Sequence, residues 1–70
     1  MRISARNQLT GTVTEINHGT VTTTVKVGLA GGDTITSSIT KEAAEELGLA
    51  EGAEVTVVIK ASDVLLAAET

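Results

Sequence analysis

Three places in this 70-residue chain carry the hydrogen-bond donors that a bound anion requires. Ser4 and Arg6 precede the first predicted strand, Thr40 opens the predicted helix, and Lys60 and Ala61 lie at the end of the last long strand. A deprotonated tetrahedral oxyanion only accepts hydrogen bonds, so it needs hydroxyls, a guanidinium, an ammonium and free backbone N–H groups. None of these five residues carries a carboxylate, which would repel such a ligand.

Each place also has an ordinary structural interpretation. A polar N-terminal segment is often a mobile, solvated arm, and a threonine at a helix start is often only a cap. A lysine at the end of an apolar strand often extends its ammonium into solvent. Spacing alone does not decide between these interpretations and an anion site, so the answer depends on where the fold places the donors.

The sequence offers little for catalysis. It contains no Cys and a single histidine, His18, which excludes thiolate nucleophiles and a multi-histidine zinc site within one chain. A Ser-His-Asp set could be drawn from Ser62, His18 and Asp63, but no strained nucleophile turn surrounds the serine. We therefore predict that the chain is not an enzyme and holds no bare metal cation and no organic cofactor.

The chain is short for a fold that must be stable alone. A chain of about this size buries only about 60% of its unfolded surface and usually adds disulfides, a metal or oligomerisation. Because there is no Cys, Phe, Tyr or Trp, the core must consist of Val, Ile, Leu and Ala, and oligomerisation is the stabilising device that remains. We predict one domain, residues 1–70, that assembles into a homo-oligomer.

The net charge limits the classes of partner that the chain can bind. Nine acidic and five basic residues give a net charge of −4, which argues against general nucleic-acid binding because that requires a cationic field. A local cluster of donors can still bind a small anion. No apolar run approaches the roughly 20 residues of a membrane span, and no signal-peptide core follows the first residues. We predict a cytoplasmic protein with no nucleic-acid and no membrane partner.

Alternating apolar and threonine positions predict strands, which one helix-forming stretch interrupts. Thr40 can cap this helix, and Gly48 can end it in the left-handed conformation. The predicted strands cover residues 8–16, 20–29, 34–39, 53–60 and 64–68, the helix residues 41–47, and the first turn residues 17–19. The order β-β-β-α-β-β predicts an all-β fold with one short helix, a five-stranded OB-like barrel.

Motifs along almost the whole chain resemble one known family. They are Ser4–Gly11 (SARNQLTG), Gly31–Asp33, Ile39–Thr40, Glu46–Leu49, Glu51–Gly52 and Lys60–Val64. Together they resemble the molbindins, the single-domain molybdenum-pterin-binding (Mop) proteins, whose module recurs in molybdate-responsive regulators and transporter ATPases. The resemblance implies a hexamer built as a trimer of dimers. It also implies molybdate or tungstate held at subunit interfaces, for intracellular storage or homeostasis.

The resemblance also implies roles for the five donor residues. Ser4 and Arg6 hold the oxyanion from one segment, and Thr40 adds its hydroxyl or N–H group at the helix start. Lys60 and the backbone N–H of Ala61 complete the site from the neighbouring subunit. This set consists of hydroxyls, cations and backbone amides, as the chemistry of an oxyanion requires.

One position differs from the pattern of the family, and one further residue is a candidate for a second site. Relatives often carry a hydroxyl residue three positions after Thr40, where this chain has Ala43, so one donor is lost. The family also has a second kind of site near the threefold axis. His18, in the first predicted turn, is a candidate for it, although a solvated turn histidine is the commoner interpretation.

Two nucleic-acid-binding interpretations compete with oxyanion binding. Residues 39–49 and 54–57 also resemble an AbrB-like swapped-hairpin DNA-binding module, but they cover less than half the chain, and the net charge of −4 argues against DNA. An OB-type single-strand binder needs aromatic stacking platforms, and this chain has no Phe, Tyr or Trp. Oxyanion binding is therefore the leading hypothesis, and the DNA-binding module is the alternative.

Overall fold

Four antiparallel strands, one short α-helix and a 3-10 turn make up the described part of the chain. The computed structural model describes residues 2–69. The elements are β1 (Asn7–His18), β2 (Thr22–Leu29), β3 (Thr34–Thr40), α1 (Lys41–Glu46), β4 (Glu54–Ile59) and the 3-10 turn (Ala61–Asp63). The strands form one sheet in the order β3-β2-β1-β4. The predicted mostly-β fold with one short helix is confirmed.

The long strand β1 joins the two halves of the sheet. Residues 7–12 pair with β4, and residues 11–18 pair with β2. A register irregularity separates Val13 from Glu15 on the β2 side. Because such bulges bend a strand and increase its twist, the sheet curls around one face, which we call the inner face.

Gly11 stands where the two ladders meet. It pairs with Leu29 in β2 and with Val55 in β4. A Cβ atom at this position would lie 2.5 Å from Cγ1 of Val27 and 2.8 Å from the carbonyl oxygen of Gly28. Since real side chains do not tolerate such distances, the close approach of β2 to β1 requires glycine here.

The inner face carries a small aliphatic core. Val13, Val25 and Val27 are buried, and Ala44 of α1 is buried too. Partly buried side chains surround the valines: Ile16, Leu29, Ile39, Leu49, Ala53, Val55 and Val57. Thr23 is fully buried on the same face of β2, and among the described residues its hydroxyl has no hydrogen-bond partner. The core therefore consists of the small branched side chains that the composition predicts.

The helix forms where its capping residues predict. Oγ1 of Thr40 accepts a hydrogen bond from the backbone N–H of Ala43 at 3.0 Å, and Gly48 follows the helix with φ of 63°. The N–H of Leu49 then donates to the carbonyl of Ala44 at 3.2 Å. A helix of six residues is too short to be stable alone, so its packing against β2 and β3 holds it in place.

The predicted fifth strand over residues 64–68 is wrong for the described chain. These residues belong to no strand, and Leu65 and Leu66 are 92% and 94% exposed. A strand needs a neighbour that completes its ladder of hydrogen bonds, and residues 64–68 pair with none of the four strands. The single chain is therefore an open four-stranded sheet, not a closed five-stranded barrel.

The first turn also lies later in the chain than predicted. Asn17 and His18 are the last residues of β1 and pair with Thr24 and Thr23. The chain reverses after them, where the N–H of Gly19 donates to the carbonyl of Thr22 at 2.8 Å. Asparagine and glycine suggested a turn from residue 17, but pairing with β2 outweighs that local preference.

We predict that Gly11→Ala lowers the free energy of unfolding by about 1–3 kcal/mol, because the new methyl group overpacks β1 against β2. Urea unfolding followed by far-UV circular dichroism measures this change. Gly31→Ala is the matched control, since a Cβ there meets nothing within 4 Å. If the two variants were equally stable, β1 and β2 could accommodate a methyl group at residue 11 without a loss of stability.

Candidate oxyanion site

Arg6 and Lys60 lie at the same end of the sheet. The β1–β4 ladder ends with Asn7 opposite Ile59, and the side-chain amide of Asn7 donates to the carbonyl of Ile59 at 3.2 Å. Because Arg6 precedes Asn7 and Lys60 follows Ile59 in this antiparallel register, the two cationic residues flank the last pair. Both are exposed, so both are accessible to a ligand.

Ser4 and Ala61 are the neighbours of these cations along the chain. Ser4 is exposed in the segment that leads into β1. Ala61 begins the 3-10 turn, whose first hydrogen bond runs from the N–H of Asp63 to the carbonyl of Lys60 at 2.9 Å. The N–H of Ala61 precedes this bond and is not used by it. We call Ser4, Arg6, Lys60 and Ala61 the donor end of the sheet.

Thr40 occupies a different environment. Its hydroxyl oxygen accepts the helix-capping bond from Ala43 at 3.0 Å, and the next residue, Lys41, donates its N–H to the carbonyl of Val21 at 2.9 Å. A hydroxyl that accepts one bond still has a proton to donate. Thr40 can therefore cap α1 and donate to an anion at the same time.

One chain does not bring Thr40 to the donor end. Thr40 pairs with Thr22, one step beyond the pair of Thr23 with His18, the last residue of β1. Arg6 instead precedes the first residue of β1, and its 12 residues span on the order of 36 Å of extended strand. Four of the five predicted site residues thus lie at the donor end. The fifth, Thr40, lies at the opposite end of β1.

Charge is distributed unevenly along the chain. Five of the nine acidic residues lie between residues 42 and 54, in α1 and the turn and strand that follow it. Three of the five basic residues, Arg2, Arg6 and Lys60, lie in the segments at the donor end. Within residues 2–69, neither Arg6 nor Lys60 has a carboxylate within 4.0 Å. Although Asp63 lies in the adjacent 3-10 turn, this local excess of basic residues favours a small anion despite the net charge of −4.

The acidic and histidine side chains of the described residues are dispersed. Residues 2–69 contain no group of three or more His, Cys, Asp or Glu side chains that could hold a metal ion. His18 lies exposed at the end of β1, opposite Thr23. Across the same range, no helix is both long and apolar enough to cross a membrane.

Comparison with known proteins gives the family to which the chain belongs. Residues 3–66 match the TOBE domain family. The chain belongs to the TOBE domain family. Molybdenum-pterin-binding protein 1 of Clostridium pasteurianum is 52% identical to this TOBE protein over 68 residues, which are 97% of this chain and 100% of the relative. The resemblance to the molybdenum-pterin-binding proteins is thereby confirmed.

Two solved structures share the fold of this TOBE protein. A molybdate binding protein from Sporomusa ovata superposes with a TM-score of 0.92 at 34% identity, covering 97% of this chain and 100% of the other. The cytoplasmic molybdate-binding protein ModG, solved with molybdate bound, gives a TM-score of 0.89 at 55% identity. That match covers 93% of this chain and 46% of ModG. These relatives are described as binding proteins rather than enzymes.

We predict that Thr40→Ala lowers the free energy of unfolding by about 1 kcal/mol, because α1 loses its capping acceptor. Thr40→Ser should restore most of that loss, since serine caps equally well. Urea unfolding at matched protein concentration, followed by circular dichroism, gives the comparison. If the alanine variant were as stable as the original, the capping bond at residue 40 would contribute nothing to the fold.

Proposed function

We propose that this TOBE protein binds molybdate or tungstate at sites formed between its own copies. The observation that carries the proposal is the donor end, where Arg6 and Lys60 stand together without a carboxylate within 4.0 Å among residues 2–69. Ser4 and the N–H of Ala61, which donates to no backbone carbonyl within residues 2–69, supply neutral donors beside them. The relatives named for molybdate and molybdenum binding support this choice of oxyanion.

The site requires a second copy because Thr40 lies at the far end of β1 from Arg6. We propose that the hydroxyl of Thr40 in one copy donates a hydrogen bond to an oxyanion held at the donor end of another copy. Two chains then contribute to each site, and binding favours assembly because the bound ligand stabilises only the associated state. A hexamer arranged as a trimer of dimers is the assembly that we propose.

A buffering role in the cytoplasm fits these properties. We propose that the whole of residues 1–70 acts as one binding domain that stores molybdate or tungstate and performs no catalysis. The donor set contains no nucleophile paired with a base, and ModG, a similar protein, is described as cytoplasmic. The loss of a hydroxyl at Ala43 leaves Thr40 as the donor of the helix start.

We predict that Arg6→Ala weakens molybdate binding more than tenfold, because a lost charge-assisted hydrogen bond costs about 1.5–3 kcal/mol. Isothermal titration with molybdate, with sulfate in parallel and the mass in solution measured on the same sample, tests this. Arg2→Ala is the matched control, an exposed arginine in the same segment, and it should bind normally. Unchanged affinity of the Arg6 variant would remove this residue from the site, and no molybdate heat from the original protein would refute the function.

We also predict that Arg6→Ala and Thr40→Ala chains, each weakened in molybdate binding, recover part of that binding when they assemble together. If Arg6 and Thr40 of one site come from different copies, mixed oligomers of Arg6→Ala and Thr40→Ala chains contain some sites with both original residues. The two variants are unfolded and refolded together, and their molybdate capacity is compared with that of each variant refolded alone. A mixture with no more capacity than the separate variants would place both residues in the same copy.

A further inference from the structure

Asn7 is an asparagine on the inner face of the sheet. It begins β1 and shares a face with Gly11 and Val13, because positions separated by an even number of residues lie on the same side of a strand. Asparagine is depleted in strands, and this one is half-buried. Since a partly buried amide is costly unless it forms hydrogen bonds, the side chain of Asn7 needs a partner within the structure.

The partner lies on the neighbouring strand. Nδ2 of Asn7 donates to the carbonyl oxygen of Ile59 at 3.2 Å, and these two residues form the last pair of the β1–β4 ladder. Arg6 precedes one member of the pair along the chain, and Lys60 follows the other. The hydrogen bond therefore connects the segment that carries the guanidinium to the segment that carries the ammonium.

The carbonyl of Ile59 belongs to the same peptide group as the N–H of Lys60. Because a peptide group is planar, the hydrogen bond from Asn7 restricts the orientation of the whole group. The carbonyl of Lys60 in turn accepts the N–H of Asp63 at 2.9 Å, which restricts the next peptide group, the one that contains the N–H of Ala61. The two hydrogen bonds thus hold the backbone angles of Lys60, φ of −66° and ψ of 132°.

We propose that Asn7 is a positioning residue of the oxyanion site. Its side chain fixes the direction in which Lys60 leaves β4, and with it the N–H group of Ala61, relative to Arg6. Asn7 acts through these donors rather than on the ligand. The proposal rests on the proposed function in taking the three residues as ligand donors, whereas the ordering of their backbone requires no ligand.

The ordering is measured first, on the ligand-free protein. Asn7→Leu keeps the branched shape of the side chain and removes the donor. We expect the backbone order parameters of Lys60 and Ala61, from NMR relaxation of the backbone nitrogens, to fall from about 0.85, typical of rigid backbone, toward about 0.6. Those of β2 and β3 should not change. Unchanged values at residues 60 and 61, or an equal fall throughout the sheet, would overturn the proposal.

The effect on the ligand is measured by isothermal titration with molybdate. We expect Asn7→Leu to weaken binding about fivefold, the equivalent of one neutral hydrogen bond. Asn7→His should restore it, since Nδ1 of histidine can carry a proton and occupies the same place along the side chain as Nδ2 of asparagine. If Asn7→Leu does not fold, Asn7→Ala removes the same donor without adding an apolar group to the inner face.

Gln8→Leu is the matched control. Nε2 of Gln8 donates to the carbonyl of Ala5 at 3.4 Å, so this exposed amide bonds within its own segment and does not reach β4. The order parameters of Lys60 and Ala61 and the affinity for molybdate should match those of the original protein. Equal effects of the substitutions at residues 7 and 8 would overturn the proposal.

The two measurements separate positioning from direct contact and from the proposed function. Weaker binding by Asn7→Leu with unchanged order parameters at residues 60 and 61 would mean that Asn7 contacts the oxyanion itself, and would overturn the positioning role. If the original protein binds no molybdate but the order parameters fall in Asn7→Leu, the ordering by Asn7 stands and only the function is refuted.

Discussion

The structure depends on one strand that pairs with two partners over overlapping residues. β1 belongs to both ladders at Gly11, and the lack of a side chain there lets β2 approach closely enough for Val27 to pack against it. From this point the chain extends in two directions. One end of β1 carries Arg6 next to Lys60, and the other reaches the turn beside Thr40. The same pairing that builds the sheet therefore places the donors at its two ends.

That arrangement is the reason why the site that we propose takes donors from two copies of a small fold. The described core holds three buried valines and Ala44, and the sequence has no aromatic residue that could enlarge it. A site inside such a core would need buried polar groups, which are costly without partners. Exposed donors at the ends of the sheet avoid this cost, and in the proposed site a second copy surrounds the ligand.

The local features of the fold were predictable from the sequence, because they depend on neighbouring residues. Thr40 and Gly48 bound the helix through their own chemistry, and the alternation of valine and threonine predicts the four strands. The end of β1 was not predictable in the same way. Asn17 and His18 have turn preferences, but their pairing with β2 depends on residues that follow in the chain. Residues 64–68 have a strand pattern, yet a strand also needs a neighbour, which the pattern does not reveal.

The site was predictable in composition but not in arrangement. The chemical argument selects donors without carboxylates, and the structure places four of the five together. Nothing in the spacing of Arg6, Thr40 and Lys60 along the sequence shows that β1 separates Thr40 from the other two. That information lies in the register of the ladders, which hydrogen bonding between distant residues determines.

The donor set has a consequence for the oxidation state of a bound metal oxyanion. Thiolates and thioethers are the side chains that most readily give up electrons to an oxidant, and this chain has no Cys and a single Met at its first residue. Serine, threonine, arginine and lysine side chains are not reductants under cellular conditions. A hexavalent metal held by such groups meets no electron donor among them. In the proposed site, the side chains would therefore leave the oxidation state of the metal unchanged.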